Sequence, residues 1–248
     1  MAFRELSINC AYETLSGDPV ADFYVPVLKD AVRYDRIAGF FSSSSLAIAA
    51  RGIQGLIQNH GKMRIIASPR LSLEDSRVLA TNGSLPDSAI ARIITDITSF
   101  SDAAEKDHVA ALGWMLKNGF LEVRLAFVVD DNETDTGALF HQKIGILEDV
   151  SGDRISFSGS INETASGWLS NSEEFKVFKS WEPGQDTYFD SDEERFSELW
   201  NCKKKKVIVL PAPQAIHDSI VSTATNFEKE RFIATKYNGP HVKTTSKK

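Results

Sequence analysis

The chain has few cysteines and no long apolar run. Of its 248 residues only Cys10 and Cys202 are cysteines, and they fit no CxxC or Cys/His spacing. This pattern excludes a disulfide framework and a cysteine-based zinc site, and it favours a reducing compartment. No apolar stretch approaches the ~20 residues of a membrane span. The N-terminus lacks the apolar core of a signal peptide. We therefore expect a cytoplasmic protein without a membrane segment.

An excess of positive charge is also lacking, because 28 basic residues stand against 34 acidic ones and give a net charge of −6. This balance argues against a generally basic nucleic-acid coat, but it leaves room for a local basic groove. Basic residues gather late in the chain, at Lys203–Lys206 and in the last thirteen residues. Such a run predicts a solvated face or linker, with an interaction tail as the alternative. We expect one domain over 1–202 and a basic extension, or a linker to a further domain, over 203–248.

The order of the apolar segments predicts an α/β fold with a mixed sheet flanked by helices. A strand at 36–41, a helix that Gly61 ends, and a strand at 63–68 suggest a right-handed crossover. Further strands are predicted at 121–129, 138–148, 155–160 and 174–181, with one more after Lys206. Helices are predicted from Pro19, from Ser72, across 89–117 with a break near 100–102, and at 190–200.

Polar side chains with phosphate chemistry lie in the stretch FHQKIGILEDVSGDRISFSGSIN, residues 140–162. Side chains two residues apart on a strand share a face, so His141 and Lys143 point the same way. If the strands pair about a turn at Gly152, the end that carries Asn162 returns near His141. Ser158 and Ser160 share a face of the second strand. The hairpin is therefore predicted to collect an imidazole, an ammonium, a hydroxyl and a carboxamide on one surface.

That set of groups suits a phosphate. Lys143 offers positive charge, Ser160 and Asn162 offer neutral donors, and His141 is a candidate nucleophile or acid–base group. The plain structural alternative is a hairpin with polar residues on its wet face. An HxK followed by a GSxN on two adjacent strands is rare by chance in a chain of this composition, which favours a functional site.

These residues resemble a known family. HxK followed by GSxN resembles the HKD motif of the phospholipase D superfamily, with Glu148 where the family usually has Asp. Asn171-Ser-Glu173 resembles the Asn-x-Glu of the nuclease members, and Glu173 matches its carboxylate. RIAGFFSSSSL, MRIIASP and SGSINETASGW are similar to nuclease domains joined to helicases in bacterial restriction and anti-phage systems. The resemblance covers roughly 23–200.

The resemblance implies a phospholipase D-like fold with a single HKD motif and a metal-independent phosphodiesterase without a cofactor. It implies a nuclease, with DNA the expected substrate, within a restriction or DNA-processing protein. In that chemistry His141 forms a covalent phosphohistidine and a second histidine protonates the leaving oxygen. Lys143, Ser160 and Asn162 hold the phosphoryl oxygens, and Glu173 orients the His141 ring.

The family's active site takes two HxK motifs. A second HxK, at His60-Gly61-Lys62, is predicted at a helix end, where its two side chains would not share a strand face. His108 is predicted on a helix surface, and His217 and His241 in the tail. One chain then supplies half a site, and we expect a homodimer to complete it. A helicase, as a covalently linked or separate partner, is a further expectation.

Three alternatives stay open. The first is a metal-dependent site, either in the acidic loop Asp130–Asp135 or at Glu174-Phe-Lys176, which spells the ExK of metal-dependent nucleases. EDTA would inactivate a metal-dependent nuclease but not a phospholipase D-type enzyme. A phosphodiester-binding module with weak or no catalysis is the second. A phospholipase is the third and is less favoured, because neither an amphipathic membrane-surface segment nor a lipid-anchor motif is visible.

Overall fold

The central feature of the described part of the protein is one eight-stranded mixed sheet. A computed structural model describes residues 2–39, 41–50, 52–129, 140, 142–159 and 173–234. Within these ranges no helix combines the length and the apolar character needed to cross a membrane. The strand order is β1-β7-β6-β5-β2-β3-β4-β8. The strands are β1 Ala11–Glu13, β2 Ala31–Ala38, β3 Lys62–Ala67, β4 Leu121–Val128, β5 Ile144–Asp149, β6 Arg154–Gly159, β7 Glu174–Lys179 and β8 Val207–Pro211.

Helices cover both faces of the sheet. They are α1 Val25–Asp30, α2 Ser43–Ala49, α3 Ile53–Gln58, α4 Leu73–Asn82, α5 Asp87–Thr98, α6 Ala103–Lys117, α7 Asp186–Trp200, α8 Gln214–Thr223 and α9 Lys229–Ala234. A 3-10 turn at Phe3–Glu5 and a π-helical turn at Val20–Tyr24 precede them. Of these, α7 packs on one face through Phe189, Phe196 and Trp200. The opposite face carries the larger core, to which α1, α3, α6 and α8 contribute.

Strands β2, β3 and β4 are parallel neighbours, so their carboxyl ends meet at one edge of the sheet. The other pairings are antiparallel. As a result β5, β7 and β8 begin, and β6 ends, at that same edge. We call it the carboxyl edge, and the opposite one the amino edge. In α/β sheets, ligands bind outside the carboxyl ends of the parallel strands, so we expect a binding site at this edge.

Most of the elements predicted from local sequence signals are present in the structure. The mixed α/β sheet is confirmed, and β2 and β3 are parallel neighbours joined through α2 and α3. The hairpin about Gly152 is confirmed: the Gly152 N–H donates to the Asp149 carbonyl at 3.1 Å, and Gly152 has φ +81°. Ser72 caps α4 in a capping box with Asp75. The gap between α5 and α6 falls at 99–102, as predicted.

Other boundaries were wrong. β2 begins at Ala31 rather than at residue 36, because Arg33 and Asp35 are held by ion pairs with side chains far along the chain. The helix expected to run up to Gly61 is divided into α2 and α3, with Gly52 left-handed at φ +78°. His60, not Gly61, takes the left-handed conformation at the helix end, with φ +54°.

The described part of the extension expected after residue 202 packs into the same fold. β8 pairs with β4 along its whole length, and Ile216 and Ile220 of α8 are buried in the larger core. A linker over 203–234 is therefore wrong, because these residues bury apolar side chains that a linker exposes. The part of the extension over 235–248 lies outside the described residues and stays a prediction.

Candidate phosphodiester site

Lys143 lies directly before β5 at the carboxyl edge, and it is only 6% exposed. It stands opposite Gly159, the last residue of β6, and the Gly159 N–H donates to the Lys143 carbonyl at 3.4 Å. Alternation along β5 puts Lys143 on the same face as Leu147, the face of the larger core. Water screens a buried ammonium weakly, so it interacts strongly with an anion that reaches it.

Glu173, the residue before β7, is 5% exposed and lies at the same edge. Thr14 fixes its backbone from both sides: the Glu173 N–H donates to Thr14 Oγ1 at 3.0 Å, and the Glu173 carbonyl accepts from the Thr14 N–H at 3.0 Å. Thr14 was not among the predicted site residues, because its contact depends on the pairing of β1 with β7 and joins residues 159 positions apart.

The strand register brings Lys143 and Glu173 onto one face of the sheet. Gly159 stands opposite Lys143 on one side and opposite Phe175 on the other, so the three residues form a row across β5, β6 and β7. Glu173 shares the face of Phe175 and lies two residues nearer the edge. Strand spacings place the Cα atoms of Lys143 and Glu173 about 12 Å apart. Side chains of their length can contact one ligand across that distance.

Two glycines shape this face. A Cβ at Gly159 would overlap the backbone of Glu174 and Phe175, so the close pairing of β6 with β7 requires glycine there. A Cβ at Gly145 would overlap the ring of Phe157. Both positions therefore select glycine for packing next to Lys143.

Arg36 is a second buried cation on this face and was not among the predicted site residues. It is 1% exposed and stands directly opposite Gly145, one diagonal step from Lys143. Its guanidinium carbon lies 4.9 Å from the centroid of the Phe157 ring, a cation–π contact. The signal available in the sequence was an arginine at the head of the apolar run RIAGFF. Arg36 adds positive charge behind the candidate site.

The prediction that the polar side chains of the hairpin share one surface is wrong for Ser158. Ser158 pairs with Ile144, and directly paired residues share a face, so Ser158 lies on the α7 side, away from Lys143. Ser156 lies on the same side and donates to Asp192 Oδ2 on α7 at 2.9 Å. Burial raises the pKa of the Asp192 carboxyl, although the Ser156 hydroxyl acts in the opposite direction.

His141, Ser160 and Asn162 lie outside the described residues, and so does the acidic loop at 130–135. Their predicted roles stay predictions. Across the residues that the structure does describe, no three His, Cys, Asp or Glu side chains are grouped so that they could hold a metal ion.

The second HxK lies at the other edge of the sheet. His60 is exposed at the end of α3, and Lys62 is the exposed first residue of β3, at the amino edge. As predicted, the side chains of His60 and Lys62 do not share one face of a strand. His108 contacts the Ala104 carbonyl within α6 through Nδ1 at 2.6 Å, and His217 Nδ1 lies 3.3 Å from Asp218 on α8. Both therefore lie on helices, with local partners.

The remaining motif residues also point away from Lys143. Glu174 and Lys176 are exposed and form an ion pair with each other, which raises the pKa of Lys176. Their side chains alternate with that of Phe175, so they lie on the opposite face of β7. Glu148 lies near the other end of β5, where it pairs with Arg33 at 2.7 Å. None of the three shares a face and an edge with Lys143.

Comparison with known proteins gives low similarities. No family model matches the chain, and no curated protein matches it in sequence. The chain is similar in structure to NucT from Helicobacter pylori, at 13% identity and a TM-score of 0.44, over 77% of this chain and 94% of NucT. It is similar to Nuc from Salmonella typhimurium, a phospholipase D family member, at 14% identity and a TM-score of 0.42, over 82% and 97%.

A third similar structure is the phosphatidylserine synthase of Haemophilus influenzae, at 15% identity and a TM-score of 0.42, over 84% of this chain and 43% of the synthase. Because these identities are only 13–15%, the activity proposed for this chain rests on its own residues.

Proposed function

We propose that the chain is a metal-independent phosphodiesterase of the phospholipase D type, a nuclease that cleaves DNA through a phosphohistidine intermediate. The observation that carries the proposal is the buried Lys143 at the carboxyl edge, on one face with the buried Glu173. A buried cation and a buried carboxylate on one face, at the edge where the HxK and GSxN segments adjoin the sheet, supply groups that phosphoryl transfer without a metal would use.

Chain connectivity limits how far the remaining site residues can lie from this point. One residue separates His141 from Lys143, so their Cα atoms lie within about 7 Å of each other. Asn162 is three residues beyond Gly159, so its Cα lies within about 11 Å of Gly159. Ser160 directly follows Gly159 in the chain. Short chain segments therefore join these proposed groups to Lys143 and to Gly159, and we propose that they act together at the carboxyl edge.

The proposed reaction has two displacements. A ring nitrogen of His141 attacks phosphorus, the bond to the leaving oxygen breaks, and a second histidine gives that oxygen a proton. The second histidine then takes a proton from water, the water oxygen attacks phosphorus, and the P–N bond breaks. The products are one alcohol and one phosphomonoester, and His141 is regenerated.

Each of the other groups has a defined role in this proposal. Lys143 and Asn162, with Ser160, bind the non-bridging phosphoryl oxygens and stabilise the charge of the transition state. Glu173 accepts a hydrogen bond from the His141 ring and fixes its tautomer, so that the other nitrogen faces phosphorus. The backbone clamp from Thr14 holds Glu173 in place for that role.

A homodimer supplies the second histidine. Among the described residues, His60, His108 and His217 lie away from the face of Lys143 or on helices with local contacts, so we assign the acid to His141 of a second copy across a two-fold axis. Two Lys143 ammonium groups then approach each other, which is unfavourable until a phosphate lies between them. We place the protein in restriction or DNA processing, with a helicase as its partner.

The test is a DNA cleavage assay in excess EDTA with wild type, His141→Ala and His60→Ala. We expect wild type and His60→Ala to cleave and His141→Ala not to. Loss of wild-type activity in EDTA would favour a metal-dependent nuclease. DNA binding with no cleavage by any of the three proteins, either in EDTA or with Mg²⁺ added, would favour the phosphodiester-binding module.

A further inference from the structure

The lysine run Lys203–Lys206, here called the lysine loop, is held in place by backbone hydrogen bonds at both ends. The Lys203 N–H donates to the Glu198 carbonyl at 2.7 Å, and the Lys206 carbonyl accepts from the Val129 N–H at 2.9 Å. Lys206 has φ +63°, a conformation that a lysine adopts only where its surroundings fix it. The lysine loop is therefore a defined surface feature.

The lysine loop lies at the carboxyl edge, the same edge as Lys143. β8 follows it directly, and its first residue, Val207, pairs with Val128 at the end of β4. Four strand spacings separate β5 from β8, about 19 Å, and the loop extends roughly four residues farther out than Lys143. The Cα atoms of Lys143 and Lys206 are thus roughly 20–25 Å apart.

All four lysines are exposed, in a chain whose net charge is −6. Lys204 pairs with Glu198 at 2.9 Å. Lys203 and Lys205 make no ion pair with any residue that the structure describes. The lysine loop, with Lys204 paired to Glu198, is therefore a local basic patch that the overall composition conceals.

We propose that the lysine loop binds the phosphate backbone of the nucleic acid whose scissile phosphate lies at Lys143. This proposal rests on the proposed function and names a second contact point for its substrate. One DNA strand advances about 3.4 Å per nucleotide along the axis of a duplex, so 20–25 Å corresponds to roughly six or seven base pairs. Lysine suits this role because a flexible point charge binds phosphate without reading the base.

The test compares two double variants with the same change of charge. Lys203→Gln/Lys205→Gln alters the lysine loop, and Lys29→Gln/Lys117→Gln removes two exposed lysines at the amino edge. Affinity for a labelled 20-base-pair duplex is measured by fluorescence anisotropy in EDTA over a series of salt concentrations, in the His141→Ala background. Thermal unfolding midpoints check that both variants fold.

We expect the loop variant to bind about tenfold more weakly near 0.1 M salt, and its slope of log K against log salt to be smaller by about 1.8. The control should differ from its parent by less than about twofold. Equal affinities and slopes for the two variants would overturn the proposal. That result would follow if acidic side chains, such as Asp130 and Asp131 directly after Val129 in the chain, neutralised the lysines.

A small substrate separates this proposal from the proposed function. Bis(p-nitrophenyl) phosphate is too short to reach both Lys143 and the lysine loop, so the loop variant, with His141 intact, should hydrolyse it at the wild-type rate. A loss of this hydrolysis would overturn the binding role, because it would place the loop in the chemical step. Wild type that binds DNA through the loop but cleaves neither substrate would contradict the proposed function alone.

Discussion

The tripeptide HxK occurs twice in this chain, and the two copies differ in where the sheet places them. Lys143 follows His141 at the carboxyl edge, where it is buried opposite Gly159 and on one face with Glu173. Lys62 follows His60 at the amino edge, where both side chains are exposed. The same letters therefore give a candidate phosphate site at one edge and a helix-to-strand turn at the other. Strand placement, not the motif alone, decides which copy can act.

The largest expected difference between the two edges is in the histidines. Replacing His141 by alanine removes the proposed nucleophile, so DNA cleavage in EDTA should fall by about 10⁴-fold or more. His60→Ala should cleave within twofold of wild type. Initial rates of plasmid nicking measure both. Equal losses in folded variants would contradict the assignment of His60 to a helix end without a catalytic role.

The lysines of the two motifs provide a second matched pair. Lys143→Ala should lower kcat by about a hundredfold or more, with a smaller change in KM, because the ammonium stabilises charge that develops in the transition state. Asn162→Ala should act in the same way. Lys62→Ala is the control at the amino edge and should leave both constants unchanged. A change in KM alone for Lys143→Ala would favour the binding module.

Phosphate bound at the carboxyl edge should also lower the dissociation constant of the dimer. Phosphate that binds between two Lys143 ammonium groups is bound only by the dimer, so it stabilises association. At a phosphate concentration 100 times its dissociation constant, the dimer dissociation constant should fall by about a hundredfold. Analytical ultracentrifugation over a dilution series, with and without phosphate, measures this. A monomer at all concentrations that still cleaves DNA in EDTA would contradict the half-site.

A smaller effect is expected for Glu173, which we propose acts through His141. Glu173→Gln keeps the shape of the side chain and removes its charge, so kcat should fall by about tenfold. The pH–rate profile distinguishes positioning from packing, because loss of the carboxylate should lower the apparent pKa of the nucleophilic histidine. A profile with unchanged pKa values would indicate a purely structural role.

The smallest effect concerns the α7 face, away from the proposed chemistry. Burial raises the pKa of Asp192, so the folded protein binds this proton more tightly than the unfolded chain does. The ionised carboxylate therefore destabilises the fold, and this penalty grows as pH rises from about 4 through the raised pKa. Asp192→Asn still accepts from Ser156 and should raise Tm by about 1–3 °C at pH 7.

The gain in Tm should disappear near pH 3, where the carboxyl group is protonated in both states. Thermal unfolding followed by circular dichroism at the two pH values measures this. A lower Tm for Asp192→Asn at pH 7 would show that the negative charge itself stabilises α7. DNA cleavage should stay unchanged, because Asp192 lies on the face of the sheet opposite the proposed site.

The sequence predicted those features that depend on neighbouring residues. Gly152 marks its hairpin, and Ser72 with Asp75 marks the start of α4, because a turn and a cap are formed by residues within a few positions. The start of β2 was missed, because Asp35 is stabilised by Arg64, 29 residues away. The hydrogen bonds between Thr14 and the Glu173 backbone join residues 159 positions apart, so they were missed for the same reason, a partner far along the chain.

The face of Ser158 was mispredicted for a different reason. A strand turns its side chains to alternate faces, so an error of one residue in register moves a side chain to the other face. The hairpin places Lys143 opposite Gly159 and Ile144 opposite Ser158, a register that the tripeptide HxK does not encode. Arg36 was missed because an arginine at the head of the run RIAGFF also fits an exposed strand end, and its burial depends on the pairing of β2 with β5.

The most direct test of the central claim is a search for the covalent intermediate. Wild type is mixed with a DNA duplex labelled with ³²P at internal phosphates in excess EDTA and is quenched in alkaline denaturant within the first turnover, since phosphohistidine survives base better than acid. Peptide mass spectrometry should then find a DNA fragment attached through phosphorus to His141, and His141→Ala should carry no label. Efficient cleavage in EDTA with no label retained on the protein at any quench time would contradict the phosphohistidine mechanism.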